Sequence, residues 1–403
     1  MMRAAFRRRV SPIERLFTLL HEMDHPFSNQ VVLEGTGVLD EARWQEAVHA
    51  ACEANPGSRL VQRGVSRWAS WVDSGKAAPI RFVDGTGWSG YGPEGASFLC
   101  DPLPFKSSHS SEVLLVEGNP LRVVFRVLHA VMDGRGTLLW MEDIFRALRC
   151  EPLKGATCTL NDEQFLSDLD IPKRWDRKSR NCLAPTGAAD GDDSGNVWKR
   201  VRLDGRFVKL LPQVVLAMAK ETRKQGETNV CFNIPADLRY RQPGIRSTAN
   251  LGHRFVVQVP PDATVDSIQQ QIFEKLRNVA WESHALFFLY YIPLGLMKYI
   301  LRRIRKRNLR SGLHSSTGTI SYPGKLPIEN FQGGGFTAKT GFLIPPSMEG
   351  KPLFAVLSNC DDAVEMLISM PKTLASNGRL EEFLAGVVSQ LEPIPPINSP
   401  PLN

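Results

Sequence analysis

Residues 121–136 read LRVVFRVLHAVMDGRG. The apolar, β-branched run Leu121–Leu128 predicts a strand. It leads straight into His129, then Asp133 and Gly134, before a helix-like stretch from Gly136 to Leu148. The pattern is H-x-x-x-D-G at a strand end. A strand end holds a side chain firmly at the edge of a sheet, where a cleft can form. Histidine is the side chain whose ordinary pKa suits proton transfer near neutrality. Asp133, past the turn, reads as a brace that pairs with an arginine, and Gly134 as a residue free to take a positive φ. The other reading of the same residues is a surface histidine in a strand-to-helix turn, with Asp133 capping the next helix.

Working outward, both parts of the chain mix strands and helices. In the first, Gln30–Leu33 and Glu112–Val116 join Leu121–Leu128 as strands, and Asp40–Ala54 joins Gly136–Leu148 as a helix. In the second, Val197–Leu203, Asn229–Asn233, Arg254–Val259, Leu353–Leu357 and Val364–Met370 are strand-like. Arg206–Lys224, Val265–Asn278 and Gly378–Leu391 have helical periodicity. Between the parts lies DRKSRNCLAPTGAADGDDSGN (176–196), polar and without apolar periodicity, which reads as an exposed crossover. The expected division is a lobe at 1–180, a linker at 181–196, a second lobe at 197–395 and a Pro-rich tail at 396–403. The fold class is α/β, with two related lobes.

Composition agrees. At about 150 residues per domain, 403 residues correspond to roughly 2.7 domains. With 42% hydrophobic and 23% charged residues the chain is globular, not disordered, collagenous or coiled-coil. The net charge of +7 permits acidic partners and selects none. Seven cysteines, at 52, 100, 150, 158, 182, 231 and 360, form no C-x-x-C, which reads as reduced thiols rather than a disulfide framework. Glu14 and Arg15 interrupt the apolar stretch of the N-terminus, so no signal peptide is read there, and the expected location is cytoplasmic.

The order strand, H-x-x-x-D-G, helix resembles the chloramphenicol acetyltransferase-like superfamily. That group includes condensation domains of nonribosomal peptide synthetases, plant BAHD acyltransferases, wax ester synthases and mycobacterial lipid acyltransferases. Other stretches agree, in family order: SPIERLF (11–17), EANPGSRL (53–60), FNIPADLRYR (232–241), NLGHRF (250–255) and GTISYPGKL (318–326). The resemblance spans roughly residues 11–330; individually only H-x-x-x-D-G is specific.

It implies two lobes in a V around a central tunnel, with the histidine at its centre. There it acts as general base, so that an alcohol or amine attacks an acyl thioester carried by coenzyme A or by the phosphopantetheine arm of a carrier protein. The product is an ester or an amide. No permanently bound cofactor, metal or covalent acyl-enzyme is implied. Carried over, His129 is the base and Asp133 the structural acid. Arg239 is the first candidate partner for Asp133, with Arg59 and Arg15 next. Two departures stand out. Condensation domains carry two adjacent histidines, and the first position here is Leu128. The asparagine of the "SN" segment is Tyr322 here, so Ser321 and Tyr322 are the candidate oxyanion helpers, against a simple turn at Pro323–Gly324. No D-F-G-W-G occurs, which disfavours a plant BAHD enzyme, and no carrier or adenylation module is read, so the protein is expected to act alone. A non-catalytic relative that only binds a carrier protein or lipid is the alternative from another class.

Two further stretches bear on function. His21-Glu22-Met23-Asp24-His25 matches H-E-x-x-H, which on a helix places two histidines on one face for zinc and makes a zinc hydrolase the minor alternative. Pro26 disfavours helical geometry at His25, and Glu41 or Glu46 would have to be the third ligand. The apolar run ALFFLYYIPLGLMKYIL (285–301) meets RRIRKR at 302–307. It reads either as a buried helical hairpin with a solvated end or as a helix on an anionic membrane surface. Arg302, Arg303, Arg305, Lys306 and Arg307 are the candidate docking residues for coenzyme A phosphates, an acidic carrier protein or lipid headgroups. Aromatic interleaving is missing there, so nucleic acid is not expected.

Overall fold

The computed structural model describes residues 6–171, 181–227, 229–278 and 291–394. The start of the apolar run (285–290), part of the polar crossover (176–180) and the tail (396–403) lie outside them.

The first lobe runs β1 (Arg7–Arg9), α1 (Pro12–Met23), β2 (Ser28–Gly37), α2 (Glu41–Ala54), β3 (Leu60–Arg63), β4 (Ser70–Asp73), β5 (Ile80–Asp84), β6 (Ser111–Glu117), β7 (Leu121–Leu128), α3 (Gly134–Leu148) and α4 (Asp162–Asp168). After the crossover come β8 (Cys182–Leu183), β9 (Asn196–Asp204), α5 (Leu210–Arg223), β10 (Val230–Asp237), β11 (Gly252–Val259), α6 (Val265–Arg277) and α7 (Leu294–Ser311). The chain continues through β12 (Leu313–His314), β13 (Gly318–Ser321), β14 (Gln332–Gly333), β15 (Phe336–Ile344), β16 (Phe354–Cys360) and β17 (Ala363–Pro371). It closes with α8 (Lys372–Ala375) and α9 (Arg379–Val388).

Two six-stranded sheets organise the lobes: β14-β15-β2-β7-β6-β5 and β11-β10-β13-β16-β17-β9. In the first, β5 and β6 are parallel and the other pairs antiparallel. In the second, β13 lies parallel to both β10 and β16. The alternation of β7 shows how the sequence builds the layers. Val123, Phe125 and Val127 point to one face, into the core beneath α2 and α3 with Trp44, Trp140 and Phe145. Val124 points to the other, into an apolar cluster that includes Trp198 and Leu367 of the second sheet. The two sheets therefore pack against each other through the second face of β7.

Charged residues share that inter-sheet layer. Arg122 of β7 and Arg200 of β9 both reach Glu34 of β2, at 2.9 Å each, and Arg200 also holds Glu365 of β17 at 2.8 Å. A buried charge is tolerated only when paired, and here each carboxylate is shared by two guanidinium groups.

The division at residue 197 needs one correction. The expected second lobe contains 332–344, but β14 and β15 add to the first sheet, β15 pairing antiparallel with β2 from Phe336↔Gly37 to Ile344↔Gln30. The strand covers the outer edge of β2, which would otherwise expose a row of unpaired backbone groups. The Gly333–Gly335 run is the hairpin turn that makes this return possible. All three have positive φ, and a Cβ at Gly335 would fall on the Val38 carbonyl oxygen.

Candidate active site at the junction of the lobes

β7 ends in a tight turn. The amides of Val131 and Met132 both donate to the Leu128 carbonyl, and the His129 amide donates to the Phe27 carbonyl. These bonds fix the histidine backbone to its own strand and to the entry of β2. The imidazole lies nearly parallel to two aromatic rings, Phe17 of α1 at 4.6 Å and Phe27 at 5.6 Å between centroids. Its Nδ1 stands 3.2 Å from the Met132 carbonyl oxygen. Asn29 Nδ2 lies 3.2 Å from the same ring nitrogen, and in the tautomer that donates Nδ1–H to the Met132 carbonyl Nε2 keeps its lone pair. Asn29 of β2 donates to the same carbonyl at 2.8 Å and holds it in place beside the ring. Burial pushes the His129 pKa below its ordinary value, although the Met132 carbonyl and the Asp133 carboxylate partly oppose this. Burial thus favours the neutral ring.

Asp133 does two structural jobs at once. As N-cap of α3 its Oδ1 accepts the Gly136 amide at 2.7 Å. Its two oxygens also take a bidentate pair from Arg239, at 3.0 and 3.1 Å, and Oδ2 accepts the Leu251 amide at 2.9 Å. The carboxylate is thus fully used in joining the first lobe to the second, with no lone pair directed at a reactant. Arg239 is anchored in turn by Asp237 and by the carbonyls of Ser247 and Ala249. Both sequence readings of Asp133, brace and cap, describe the same residue.

The other two candidate arginines lie elsewhere. Arg59 pairs with Asp73 at 2.7 Å, because β3 and β4 bring the two together within one small sheet. Arg15 donates to the Ile292 carbonyl at 2.7 Å and thereby ties α1 to the approach of α7. Gly134 also departs from expectation: it opens α3 without a positive φ, and a Cβ there would meet open space. The glycine the fold needs is Gly136, where a Cβ would collide with the Thr248 carbonyl oxygen. Helix α3 can approach the second lobe only because that position is bare.

Ser321 ends β13, and the Tyr322 hydroxyl accepts a hydrogen bond from Asn359 at 2.8 Å. The Tyr322 ring packs against the core of the second lobe. The site contains groups that sequence reasoning missed: Phe17, Phe27, Asn29 and Asn250. Asn29 and Phe27 carry no motif, and only the pairing of β2 with β7 brings them to His129. Leu128, at the position of the first histidine of condensation domains, is fully buried in the core of the first lobe.

The H-E-x-x-H stretch does not form a metal site. α1 ends at Met23, so His25 lies beyond the helix and the i,i+4 geometry is lost. Both nitrogens of His21 are engaged: Nδ1 accepts the Phe27 amide and Nε2 donates to the Leu103 carbonyl, each at 3.2 Å. Glu22 pairs with Lys106. Of the basic cluster, Arg302, Arg303, Lys306 and Arg307 are exposed on α7. Arg305 is not available for docking, since it turns inward to pair with Asp24 at 3.0 Å and with Glu349. No helix among the described residues is long and apolar enough to cross a membrane.

No family model and no curated protein matches this sequence. Solved structures do. The first condensation domain of the calcium-dependent antibiotic synthetase, in complex with a substrate analogue, is similar at TM-score 0.66 and 15% identity, over 95% of this chain and 95% of that chain. A mutant starter condensation domain of rhizomide synthetase, in complex with C8-CoA and Leu-SNAC, is similar at 0.64 and 15%, over 95% and 93%. The condensation domain of the Monacolin K polyketide synthase is similar at 0.61 and 11%, over 96% and 97%. Nearly the whole length of both partners is matched each time, so this chain has the condensation-domain fold, with two chloramphenicol-acetyltransferase-like lobes.

Proposed function

We propose that the protein is a condensation-type acyltransferase that moves an acyl group from a thioester to a hydroxyl or amine, with His129 as general base. The observation that carries this reading is the ring itself: an imidazole at the end of β7 whose pKa burial lowers and whose Nδ1 lies 3.2 Å from the Met132 carbonyl, an arrangement in which Nε2 can take a proton. In the proposed reaction Nε2 takes the proton of the acceptor as its oxygen or nitrogen attacks the thioester carbon. The carbonyl π pair moves onto oxygen. When the tetrahedral intermediate collapses, the C–S bond breaks and the imidazolium returns the proton to the leaving thiolate. Asp133 and Arg239 keep the lobes in register around this chemistry and touch neither reactant.

The donor we infer is acyl-coenzyme A or an acyl- or peptidyl-carrier protein, and the acceptor a small-molecule alcohol or amine. The C8-CoA held by the similar rhizomide synthetase domain supports a coenzyme A thioester as the first donor to assay. The test is thiol release from acyl-coenzyme A or acyl-carrier protein in the presence of candidate acceptors. His129→Ala should lose about 10²- to 10⁴-fold in kcat, the usual worth of a positioned base. Turnover near the wild-type rate in that variant would refute the assignment, and thioester binding without turnover by the native chain would favour the purely binding reading.

A peripheral membrane contact is a second element of the proposal. On α7 the apolar side chains Leu296, Tyr299, Ile300 and Ile304 are 38–56% exposed. They lie beside the exposed cations Arg302, Arg303, Lys306 and Arg307. Apolar groups next to cations on one helical surface suit an anionic lipid interface.

A further inference from the structure

The tetrahedral intermediate of acyl transfer carries a negative oxygen, and a base alone does not stabilise it. Ser321 and Tyr322 are the donors that the family resemblance implies, and the Tyr322 ring packs against the core of the second lobe. A different residue has the required properties. Asn250 is 6% exposed, yet neither its Oδ1 nor its Nδ2 has a hydrogen-bond partner. Burying an amide unpaired costs stability, so its retention needs a reason.

The reason lies in its position. Asn250 sits between two pinned neighbours. Ala249 offers its carbonyl to Arg239 at 2.6 Å, and the Leu251 amide donates to Asp133 at 2.9 Å. The Thr248 carbonyl rests against Gly136 at the first turn of α3. The Asp133–Arg239 clamp therefore fixes the Asn250 backbone on both sides, through an aspartate four positions past His129. The side chain stands beside the His129 imidazole and favours its protonated form. A rigid, dry amide beside the ring, with no hydrogen bond of full geometry at either of its polar atoms, is what a preorganised oxyanion donor looks like before substrate arrives.

We propose that the Asn250 amide N–H₂ binds the oxyanion of the tetrahedral intermediate. This rests on the acyl-transfer reading of His129. As the acceptor attacks, the carbonyl π pair becomes an oxygen lone pair facing Asn250 Nδ2–H, while the acceptor proton goes to His129 Nε2. On collapse the pair re-forms the carbonyl, and the Asn250 hydrogen bond is released. The second lobe thus supplies the acid-like half of the site and the first lobe the base.

The experiment compares wild type, Asn250→Ala, Asn250→Asp and His129→Ala by kcat, KM for acyl-coenzyme A and thermal melting. Asn250→Ala should lower kcat about 10²- to 10³-fold with KM changed by less than about threefold. Its melting temperature should be unchanged or higher, since an unpaired buried amide is removed. The near-isosteric Asn250→Asp keeps the shape and loses the donor. It should lose kcat similarly and move the acid limb of the pH profile upward, because a carboxylate beside the ring favours the imidazolium. If either variant keeps kcat within about threefold of wild type while His129→Ala is dead, the oxyanion role is overturned and the base assignment stands. A fall in kcat that is matched by a melting shift in Asn250→Ala, and absent in Asn250→Asp, would also overturn it as mere packing. A wild type inert toward every thioester and acceptor would remove both proposals together.

Discussion

His129 was legible because a strand, a histidine and an aspartate at fixed spacing leave a mark in one dimension. Its environment was not. The Phe17 and Phe27 rings that cluster against it and the Asn29 amide that donates to the Met132 carbonyl come from segments about 100 residues away. Their environment has a measurable consequence. Burial lowers the imidazole pKa, and the proposed base acts in its neutral form. The acid limb of kcat/KM should therefore lie below the ordinary histidine value of about 6.5, leaving activity flat from pH 8 down to about that point and falling tenfold per unit below it. An acid limb at pH 7 or above would contradict the burial argument. Folding must be followed alongside, because His21 is pushed down to about 4 by burial. A histidine whose folded pKa is depressed stabilises fully above its unfolded value. That contribution is lost as pH falls from about 6.5 toward 4, and is worth at most about 3 kcal/mol. Melting curves over the same range separate this loss from titration of the base.

At the scale of elements, periodicity served well where one face alone decided the fold. β7 lies where its β-branched run placed it, and α2 begins beside Asp40, which accepts the Arg43 amide as the N-cap. Periodicity failed where a partner in the other lobe decided. FTAKTGFLI (336–344) is not among the expected strands, and it becomes one by pairing along the edge left open by β2. The same limit applied to Arg305, one of six positive charges in RRIRKR-NLR whose inward orientation depends on Asp24 and Glu349. This sharpens the test of α7. Neutralising Arg302, Arg303, Lys306 and Arg307 leaves the Arg305 pairs intact, so melting should be unchanged. Binding to vesicles of anionic phospholipid should fall by about 1 kcal/mol per cation removed, and added salt should weaken the wild type toward the variant. Equal partitioning of the two proteins in a sedimentation assay would exclude the lipid-facing role.

At the scale of the whole molecule, two of the charged ties between the lobes differ in what else they do. One is the Glu34, Arg122, Arg200 and Glu365 network between the sheets; the other is Asp133 with Arg239 at the site. Glu365 has no exposed side-chain surface and takes Arg200, Arg202 and the Thr340 hydroxyl. Glu365→Gln leaves Arg200 with one carboxylate instead of two, and breaking a buried pair from one side typically costs about 3–5 kcal/mol. The variant should melt lower, yet its turnover per folded molecule should stay near wild type, since the network lies away from His129. Asp133→Asn also removes a charge facing a buried arginine, so it should lose stability of a similar order. However, Asp133 caps α3 and accepts the Leu251 amide as well. Loosening it frees the 247–251 segment and the strand-end turn together, so kcat should fall along with the melting temperature. Melting and turnover measured on both variants decide the point. If Asp133→Asn loses activity with unchanged melting, its carboxylate acts on the reaction directly. If Glu365→Gln loses activity as steeply as stability, the site depends on the whole inter-lobe layer, and the clamp at Asp133 is only its visible end.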